Sequence, residues 1–258
     1  MAAESSDAQA QPAPAPTKVG PAKGSLLIVG GGEMKRLWPV FLEMAGGKSA
    51  PIVVIPTAQE AVGGEDKVVG TLRALGATDV VQLHTRYPAE ANREEFVAPL
   101  RRARAVWFGG GRQWRLADAY LGTRTLREIE AVLERGGVVG GSSAGATIQG
   151  SYLVRGAEEN NRIMMSPGHE EGFAFLRNSA IDQHVDTRNR AEDLRPVLAK
   201  HPALLGIALD EATGIIVRGD SCVVAGEGNV RFFPTPTAAA VVLRAGARFD
   251  LAARSEVK

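Results

Sequence analysis

The segment GSSAG at residues 141–145 places two serines between glycines, directly after a run of small apolar residues. It fits the pattern G-x-S-x-G, the nucleophile elbow, in which a sharp turn between a strand and a helix exposes a serine hydroxyl for nucleophilic attack. Ser143 is preferred over Ser142, because only Ser143 has a glycine two positions away on either side. The alternative is a glycine-rich turn whose serine caps the following helix.

A serine nucleophile needs a base, and the chain has four histidines. His184 lies where a short apolar segment runs into a dense polar stretch, AIDQHVDTRNR, which is difficult to explain as part of a core. His84 ends a predicted strand and His201 lies in a turn, while His169 lies in a loop and is the alternative. A histidine by itself is more often structural than catalytic, but next to a serine nucleophile we expect His184 to be the base.

Backbone amides near the serine are candidates for binding a developing oxyanion. The amide of Ala144 follows the nucleophile at the start of the predicted helix, where amides have no partner within the helix. A second donor is expected from the glycine turn that follows another strand, with Gly110 or Gly111 as the group. We expect Gln113 to point into the same cleft. A simple helix-entry turn explains residues 109–113 equally well.

Alternating strands and helices must position these groups. Continuous apolar runs predict buried strands in SLLIV, PIVVI, DVVQL, ARAVWF and GGVVGG, with helices between them and another helix over ATIQGSYLV. This alternation is typical of an α/β fold with a parallel sheet flanked by helices. Ligands bind beyond the carboxyl ends of such strands, so the turns at 30–32, 109–113 and 142–146 share one edge. The last third predicts antiparallel hairpins around Gly-Asp and Gly-Asn turns.

The glycine turn at 30–32 also invites a comparison with phosphate-binding loops. It has neither the G-x-G-x-x-G register nor a GK[ST] ending, so we interpret it as a tight turn.

Composition excludes several classes of function. The net charge is +1, with 30 basic and 29 acidic residues and no block of like charge, so no nucleic acid or membrane partner is expected. Cys222 is the single cysteine, which excludes an internal disulfide and a CxxC metal or redox site. We expect neither a metal nor a cofactor.

The first 23 residues differ from the rest in composition. They are rich in Ala, Pro, Ser and Gln, which predicts a disordered or extended leader over residues 1–23, and residues 24–258 are expected to form a single hydrolase domain. Such a tract often follows a removed signal peptide, so an extracytoplasmic location, periplasmic or secreted, is favoured over the cytoplasm.

Four segments occur in the same order in one known family. GSSAGA, the GGxQ turn before it, the DQH run after it and GIALDEAT resemble the serine peptidase family that contains cyanophycinase and aspartyl dipeptidase. The resemblance extends over nearly the whole chain from Gly24. It implies a flavodoxin-like sheet similar to that of class I glutamine amidotransferases, with antiparallel hairpins added at the C-terminal end. Members of the family often form dimers, so a homodimer is one expectation.

The resemblance also implies a mechanism. Ser143 attacks the scissile carbonyl, His184 takes the hydroxyl proton and returns it to the leaving amine, and an acidic residue orients the imidazole. The family places this acid in the loop after the nucleophile helix, which here reads RGAEENN. The expected triad is therefore Ser143, His184 and Glu159, with Glu158 as the alternative acid.

The arginines after DQH resemble the cyanophycinase branch of the family. Cyanophycin has a poly-aspartate backbone with an arginine on each side-chain carboxyl group, and its hydrolysis releases β-Asp-Arg dipeptides. Arginine suits the carboxylates of such a substrate, because its planar fork binds both oxygens. The resemblance implies the substrate-binding residues Gln113, Asp182, Gln183, Arg188 and Arg190.

This chain departs from the cyanophycinase pattern at two positions. Asp193 stands where a third arginine is usual, although Arg195 is a nearby substitute, and Val185 stands where an aromatic residue is usual. The substrate is therefore expected to be cyanophycin or another β-aspartyl peptide. An aspartyl or isoaspartyl dipeptidase and an inactive, binding-only relative are the alternatives.

Overall fold

The structure is a computed structural model that describes residues 18–258, and its strands belong to two sheets. In chain order the strands are β1 (Ser25–Val29), β2 (Ile52–Ile55), β3 (Val80–Gln82), β4 (Ala105–Phe108), β5 (Val138–Ser142), β6 (Gly150–Tyr152), β7 (Leu176–Asp182), β8 (Leu205–Leu209), β9 (Thr213–Arg218), β10 (Ser221–Gly226), β11 (Val230–Phe233), β12 (Val241–Leu243), β13 (Arg248–Asp250) and β14 (Ser255–Val257).

The helices are short, and the longest in the described part of the chain has 11 residues. They are α1 (Leu37–Ala45), α2 (Lys67–Ala74), α3 (Pro88–Ala91), α4 (Glu94–Arg102), α5 (Trp114–Tyr120), α6 (Arg124–Glu134), α7 (Ala144–Thr147) and α8 (Arg195–Lys200). Between residues 18 and 258, no helix has the length and apolar character needed to cross a membrane.

The first sheet has nine strands in the order β14-β13-β10-β9-β1-β5-β4-β2-β3. The five strands from β1 to β3 in this order pair in parallel, as their apolar runs predict. All residues of β2, β4 and β5 are buried, because helices cover both faces of this part of the sheet. The predicted parallel sheet flanked by helices is confirmed.

Successive residues of β4 pack into different layers on the two faces. Trp107 contacts Trp38 and Phe41 on one face, with ring centroids 4.6 and 4.8 Å apart. Phe108 contacts Phe173 on the other face at 5.5 Å. Each buried aromatic side chain contributes about 1.5–3 kcal/mol of hydrophobic stabilisation. The strand that carries the 109–111 turn is thus held from both sides.

Two predicted helices differ from the structure. The helix expected between ARAVWF and GGVVGG is divided between α5 and α6, because Gly122 has a φ of 70° and the Thr123 side chain caps α6. The predicted helix over ATIQGSYLV stops at Thr147, and residues 150–152 form β6 instead. All four residues of α7 are buried, so this segment never shows the polar face of a surface helix.

The C-terminal third contains the predicted hairpin around Gly219 and Asp220, which joins β9 to β10. The other predicted hairpins are incorrect in one respect, because the strands alternate between sheets. β8 pairs with β7 and β11 in the second sheet, whose order is β12-β11-β8-β7-β6, whereas β9 pairs antiparallel with β1 in the first. The turn between β8 and β9 therefore crosses from one sheet to the other, next to the end of β1.

The predicted leader lies mostly outside the described residues. In its described part, Val19 is buried, its amide donates to Asp220 Oδ1 at 2.6 Å, and its carbonyl accepts from Arg177 N at 2.7 Å. The ordered contacts of the chain thus begin before residue 24.

Candidate active site

Ser143 lies at the junction of β5 and α7, with φ 56° and ψ −117°. Such a conformation costs about 1–3 kcal/mol for a residue with a side chain and persists only where the surrounding structure enforces it. Its amide donates to Val29 O at 3.1 Å, and its carbonyl accepts from the amides of Ala146 and Thr147 at 2.9 and 3.1 Å. The turn is therefore tied to the end of β1 and to the first turn of α7.

The glycines of GSSAG allow backbones to approach closely. A Cβ on Gly141 would lie 2.2 Å from the carbonyl oxygen of Gly145, and one on Gly145 would lie 2.2 Å from that of Phe108. No side chain fits at either position. The glycines are thus explained by the packing of β4, β5 and α7, which fixes the turn that carries Ser143.

The two predicted oxyanion glycines have different surroundings. A Cβ on Gly110 would lie 3.3 Å from Ser143 Cβ and 3.7 Å from its Oγ, so Gly110 is next to the serine. Gly111 has φ 142°, and a Cβ there would lie 2.1 Å from the carbonyl oxygen of Ala58. Ala144 is the first residue of α7. Ala144 follows Ser143 directly in the chain, and Gly110 packs beside its side chain.

His184 follows β7 and lies against Ser143. Its Nε2 is 2.9 Å from Ser143 Oγ, and its amide donates to Gly30 O at 3.0 Å. A Cβ on Gly31 would lie 2.3 Å from the imidazole Cε1, so the ring is packed directly on the backbone of this glycine. The glycine turn after β1, which the sequence suggests is a simple tight turn, therefore supports the histidine.

Glu211 contacts the opposite side of the imidazole, so that Ser143, His184 and Glu211 form one chain of hydrogen bonds. It lies in the turn between β8 and β9, and its Oε1 is hydrogen-bonded to His184 Nδ1. The same oxygen accepts from Thr187 Oγ1 at 3.0 Å, and the amide of Glu211 donates to Asp186 Oδ1 at 3.0 Å. A Cβ on Gly32 would lie 2.8 Å from Glu211 Cβ. The turn at 30–32 thus contacts both the histidine and the glutamate.

The electrostatics of this line suit a neutral base. Burial lowers the pKa of His184, and the nearby positive charge of Arg188 lowers it too, although the hydrogen bond to Glu211 opposes both. The hydrogen bond with His184 lowers the pKa of Glu211. Assigning the Nδ1 proton toward the glutamate leaves Nε2 free to accept the serine hydroxyl.

An arginine-rich cavity of about 480 Å³ adjoins the histidine segment. Arg188, on its wall, donates its amide to His184 O at 3.1 Å, so the cavity and the base share one short stretch of chain. The residues that line the cavity are Arg155, Asn161, Arg162, Arg188, Arg190 and Asp193.

A buried ion cluster forms the floor of this cavity. Arg155 binds both oxygens of Asp182 at 2.8 Å and reaches Asp193 Oδ2 at 2.6 Å. Arg190 Nη1 is 3.9 Å from Asp182 Oδ1 and donates to Gln183 O at 3.2 Å. Burial lowers the pKa of Arg190 to about 10, and the charge of Arg155 acts in the same direction.

A family model described as peptidase family S51 matches residues 26–225. The chain belongs to peptidase family S51. Cyanophycinases from Geminocystis herdmanii and Thermosynechococcus vestitus are 30% and 32% identical to this peptidase, over 81% of its length and 79% and 67% of theirs. A probable alpha-aspartyl dipeptidase from Drosophila melanogaster is 28% identical, over 75% of this chain and 83% of its own.

Solved structures show the same fold. A peptidase from an acI-B1 Actinobacterium superposes with a TM-score of 0.68 and 24% identity, over 90% of this chain and 98% of that one. A putative peptidase E protein from Listeria monocytogenes has a TM-score of 0.60 and 18% identity, over 80% of this chain and 100% of that one. The protein is a serine peptidase of this family with an α/β fold.

The structure does not bring the predicted acid to the histidine. Glu158 and Glu159 are both exposed in the loop after Arg155, and the carboxylate that contacts the imidazole belongs to Glu211. Glu211 lies in the GIALDEAT segment, directly after β8, so the segment itself was the available signal. Its meaning depends on β8 and β1 ending at the same edge, which the sequence pattern does not reveal.

The predicted substrate-binding residues divide into two groups. Arg188 and Arg190 line the cavity. Gln113 is buried and its Nε2 donates to Val154 O at 2.8 Å, while both oxygens of Asp182 are held by Arg155. Gln183 is buried, and its Oε1 has no hydrogen-bond partner within residues 18–258. The side chains of Gln113 and Asp182 are therefore bound to other groups of the protein and do not line the cavity.

Arg155 lines the cavity, although the sequence did not single it out. It is almost fully buried, at 1% exposure, and has a φ of 59°. Arg195, considered as a substitute for the missing third arginine, instead donates to the carbonyl groups of Pro236 and Ala238 at 3.0 and 2.9 Å. It is absent from the residues that line the cavity.

The other histidines have structural contacts away from Ser143. His84 Nδ1 is 2.8 Å from Thr57 Oγ1, and His201 packs on the ring of Tyr152 at 4.6 Å. His169 Nε2 is 2.9 Å from Asp118 Oδ1. Together with Glu158, this last pair places three metal-ligand atoms within 4.8 Å of one another, an arrangement that exposed acidic groups often show without a metal.

Proposed function

We propose that this peptidase is an exopeptidase that hydrolyses cyanophycin to β-Asp-Arg dipeptides through a Ser143–His184–Glu211 triad. The observation that carries the proposal is the line of hydrogen bonds from Ser143 Oγ to His184 Nε2, at 2.9 Å, and from His184 Nδ1 to Glu211. It lies beside a cavity whose arginines suit an acidic peptide.

The geometry supports acyl transfer in two steps. His184 Nε2 accepts the hydroxyl proton as Ser143 Oγ attacks the carbonyl carbon, and it then gives that proton to the leaving amine as the C–N bond breaks. Water attacks the resulting acyl-serine with His184 again as the base, which releases the acid and regenerates the hydroxyl. Glu211 holds the Nδ1 proton and stabilises the imidazolium that forms in each step.

The developing oxyanion is assigned to the amides of Ala144 and Gly110. Donors aimed at such a charge each contribute about 3–4 kcal/mol to the lowering of the barrier in serine hydrolases. A Cβ on Gly110 would lie 3.3 Å from Ser143 Cβ and 3.7 Å from Ser143 Oγ, so the Gly110 backbone lies directly beside the nucleophile.

The substrate proposal rests on charge and on the relatives. Arg190 and Arg188 offer guanidinium groups to a free carboxylate next to the base, and arginine binds both carboxylate oxygens at once. Two relatives with the name cyanophycinase are 30% and 32% identical over most of the chain.

Incubation of the purified protein with cyanophycin tests the proposal. We expect β-Asp-Arg to accumulate with the wild type and not with Ser143→Ala, as measured by mass spectrometry of the soluble products. Intact polymer after prolonged incubation with active enzyme would reject cyanophycin as the substrate.

Asp193 favours a second candidate, an aspartyl or isoaspartyl dipeptidase with the same triad. An acidic side chain on the cavity wall, where a third arginine is expected, makes the cavity less suited to an accumulation of carboxylates. The relative from Drosophila melanogaster is named a probable alpha-aspartyl dipeptidase. Cleavage of α-Asp-Leu or β-Asp-Leu by a protein that leaves cyanophycin intact would establish this alternative.

A further inference from the structure

Among residues 18–258, Asp193 is the one acidic residue on the wall of the arginine cavity. An aspartate in place of the expected arginine changes the local charge from +1 to −1. The side chain is not a passive surface group, because Arg155 holds one of its oxygens, Oδ2, at 2.6 Å.

Most of the hydrogen-bonding capacity of Arg155 is already used within the protein. Its Nε and Nη2 bind the two oxygens of Asp182, its Nη2 also binds Asp193, and its Nη1 donates to Asn161 O at 2.7 Å. Four of the five N–H groups of a guanidinium are thus in use. Arg155 positions Asp193 and is not a site for a substrate carboxylate.

Arg190 is in the opposite situation. It is buried, and its one ion-pair contact within residues 18–258 is to Asp182 Oδ1, at 3.9 Å. That oxygen already accepts from Arg155 Nε and from the amide of Gln183. A buried guanidinium without a carboxylate of its own gains most from an acidic ligand, so Arg190, with the exposed Arg188 beside it, forms the carboxylate-binding side of the cavity.

Asp193 supplies the complementary side. Its side chain is 40% exposed even though Arg155 holds Oδ2, so part of the carboxylate is accessible from the cavity that it lines. Asp182 is fully buried and both its oxygens are taken, so it cannot serve a substrate cation. The accessible carboxylate of the cavity is that of Asp193.

We propose that Asp193 is a specificity-determining residue that binds a cationic group of the substrate, while Arg190 and Arg188 bind a carboxylate of the same substrate. The cavity then selects substrates that carry both charges over substrates that carry carboxylates alone. This deepens the proposed function, on which it rests for the class of substrate.

The cation can come from two sources with the same chemistry. One is the side-chain guanidinium of cyanophycin, and the other is the α-ammonium of a dipeptide that begins with a β-aspartyl residue. Two pairs of ligands separate them. A synthetic trimer of β-Asp-Arg units is compared with the same trimer containing citrulline, which lacks the charge, and β-Asp-Leu is compared with N-acetyl-β-Asp-Leu.

Binding of all four ligands is measured by titration calorimetry on the full chain carrying Ser143→Ala, which prevents hydrolysis. We expect removal of the cation to weaken binding about tenfold or more in one pair, the loss typical of a hydrogen bond between charged groups. The pair that responds identifies the source. In the Asp193→Asn background this factor should fall below about threefold.

Glu192→Gln is the matched control. It removes the same charge one position away, from an exposed side chain that pairs with Arg195, and should keep the full factor. Equal binding within both pairs, or an unchanged factor in Asp193→Asn, would overturn the proposal. If Asp193→Asn does not fold, the two pairs on Ser143→Ala alone decide it.

The proposed function fails separately. If binding depends on the cation but the wild type hydrolyses none of these ligands, the proposed function is rejected and the role of Asp193 is retained. If the ligands are hydrolysed but binding does not depend on the cation, the role of Asp193 is rejected and the proposed function is retained.

Discussion

The proposed catalytic triad, Ser143, His184 and Glu211, adjoins the arginine cavity, but different interactions hold the two regions together. Ser143, His184 and Glu211 are joined by single hydrogen bonds, and the glycine turn at 30–32 fixes the last two from behind. The cavity is built from charges: Arg155 binds the carboxylates of Asp182 and Asp193, whereas Arg190 has one longer ion-pair contact within residues 18–258, to Asp182 at 3.9 Å. We infer from this difference that the triad carries out the reaction, whereas the cavity selects the peptide substrate.

The largest expected effect separates the nucleophile from its neighbour. Ser143→Ala should lower kcat by roughly 10,000-fold or more, because no other group in the site forms the acyl-enzyme. Ser142→Ala is the matched control, since Ser142 ends β5 and is buried. Steady-state kinetics on the substrate identified by product analysis provide the measurement, and comparable losses in the two variants would contradict the assignment.

The next effect tests the acid. Glu211→Gln should lower kcat by about 1,000- to 10,000-fold, because the amide no longer stabilises the imidazolium and favours the wrong tautomer. Glu159→Gln, at the exposed position that the sequence favours, should leave kcat within about threefold of the wild type, as surface changes usually do. A large loss of kcat in Glu159→Gln would favour Glu159, the acid expected from the sequence, over Glu211.

These two variants also mark the limit of the sequence. Ser143 and His184 could be predicted because each lies in a local pattern, a strand–turn–helix glycine motif and a polar run after an apolar segment. Glu211 could not, because its contact with the histidine depends on the turn from β8 to β9 crossing between two sheets beside β1.

The parallel half of the fold was predictable for the same reason as the serine. Strands buried on both faces leave continuous apolar runs in the sequence, as in β2 and β4. The second sheet and Arg155 were not predictable. The second sheet mixes the parallel pairs β6–β7 and β7–β8 with the antiparallel pairs β8–β11 and β11–β12, and such a strand order is a long-range property. A buried arginine is recognised only when its carboxylate partners, Asp182 and Asp193, are seen around it.

A smaller effect belongs to the cavity. Arg190→Ala should raise KM by about 10- to 100-fold with a lesser change in kcat, because a charged contact to the bound substrate is lost. Arg195→Gln is the control, because Arg195 binds backbone carbonyls away from the cavity. A fall in kcat without a change in KM would mean that Arg190 acts on the catalytic triad and does not bind the substrate.

The smallest effect connects the two regions. Burial and the charge of Arg188 lower the pKa of His184 from its ordinary value of 6.5, so the imidazole stays neutral at a pH somewhat below 6.5. We therefore expect kcat/KM to fall only as the pH drops through a midpoint under 6.5. Arg188→Gln should move this midpoint upward by a few tenths of a unit, a shift of the size expected for a partly screened charge.

Arg162→Gln removes an arginine that lines the cavity but does not act on the histidine, so its midpoint should not move. The pH profile of kcat/KM distinguishes these cases even where the absolute rates differ. A profile that stays flat through the acidic range in the wild type would contradict His184 as the base.

Covalent labelling tests directly whether Ser143 is the nucleophile and whether its reactivity depends on Glu211. The full chain and its variants are treated with a fluorophosphonate, and the modified peptide is identified by mass spectrometry. We expect a single adduct on Ser143 in the wild type and in Glu159→Gln, none in Ser143→Ala, and labelling slowed by about 100-fold or more in Glu211→Gln. An adduct on another residue, or equal labelling of Glu211→Gln and the wild type, would contradict it.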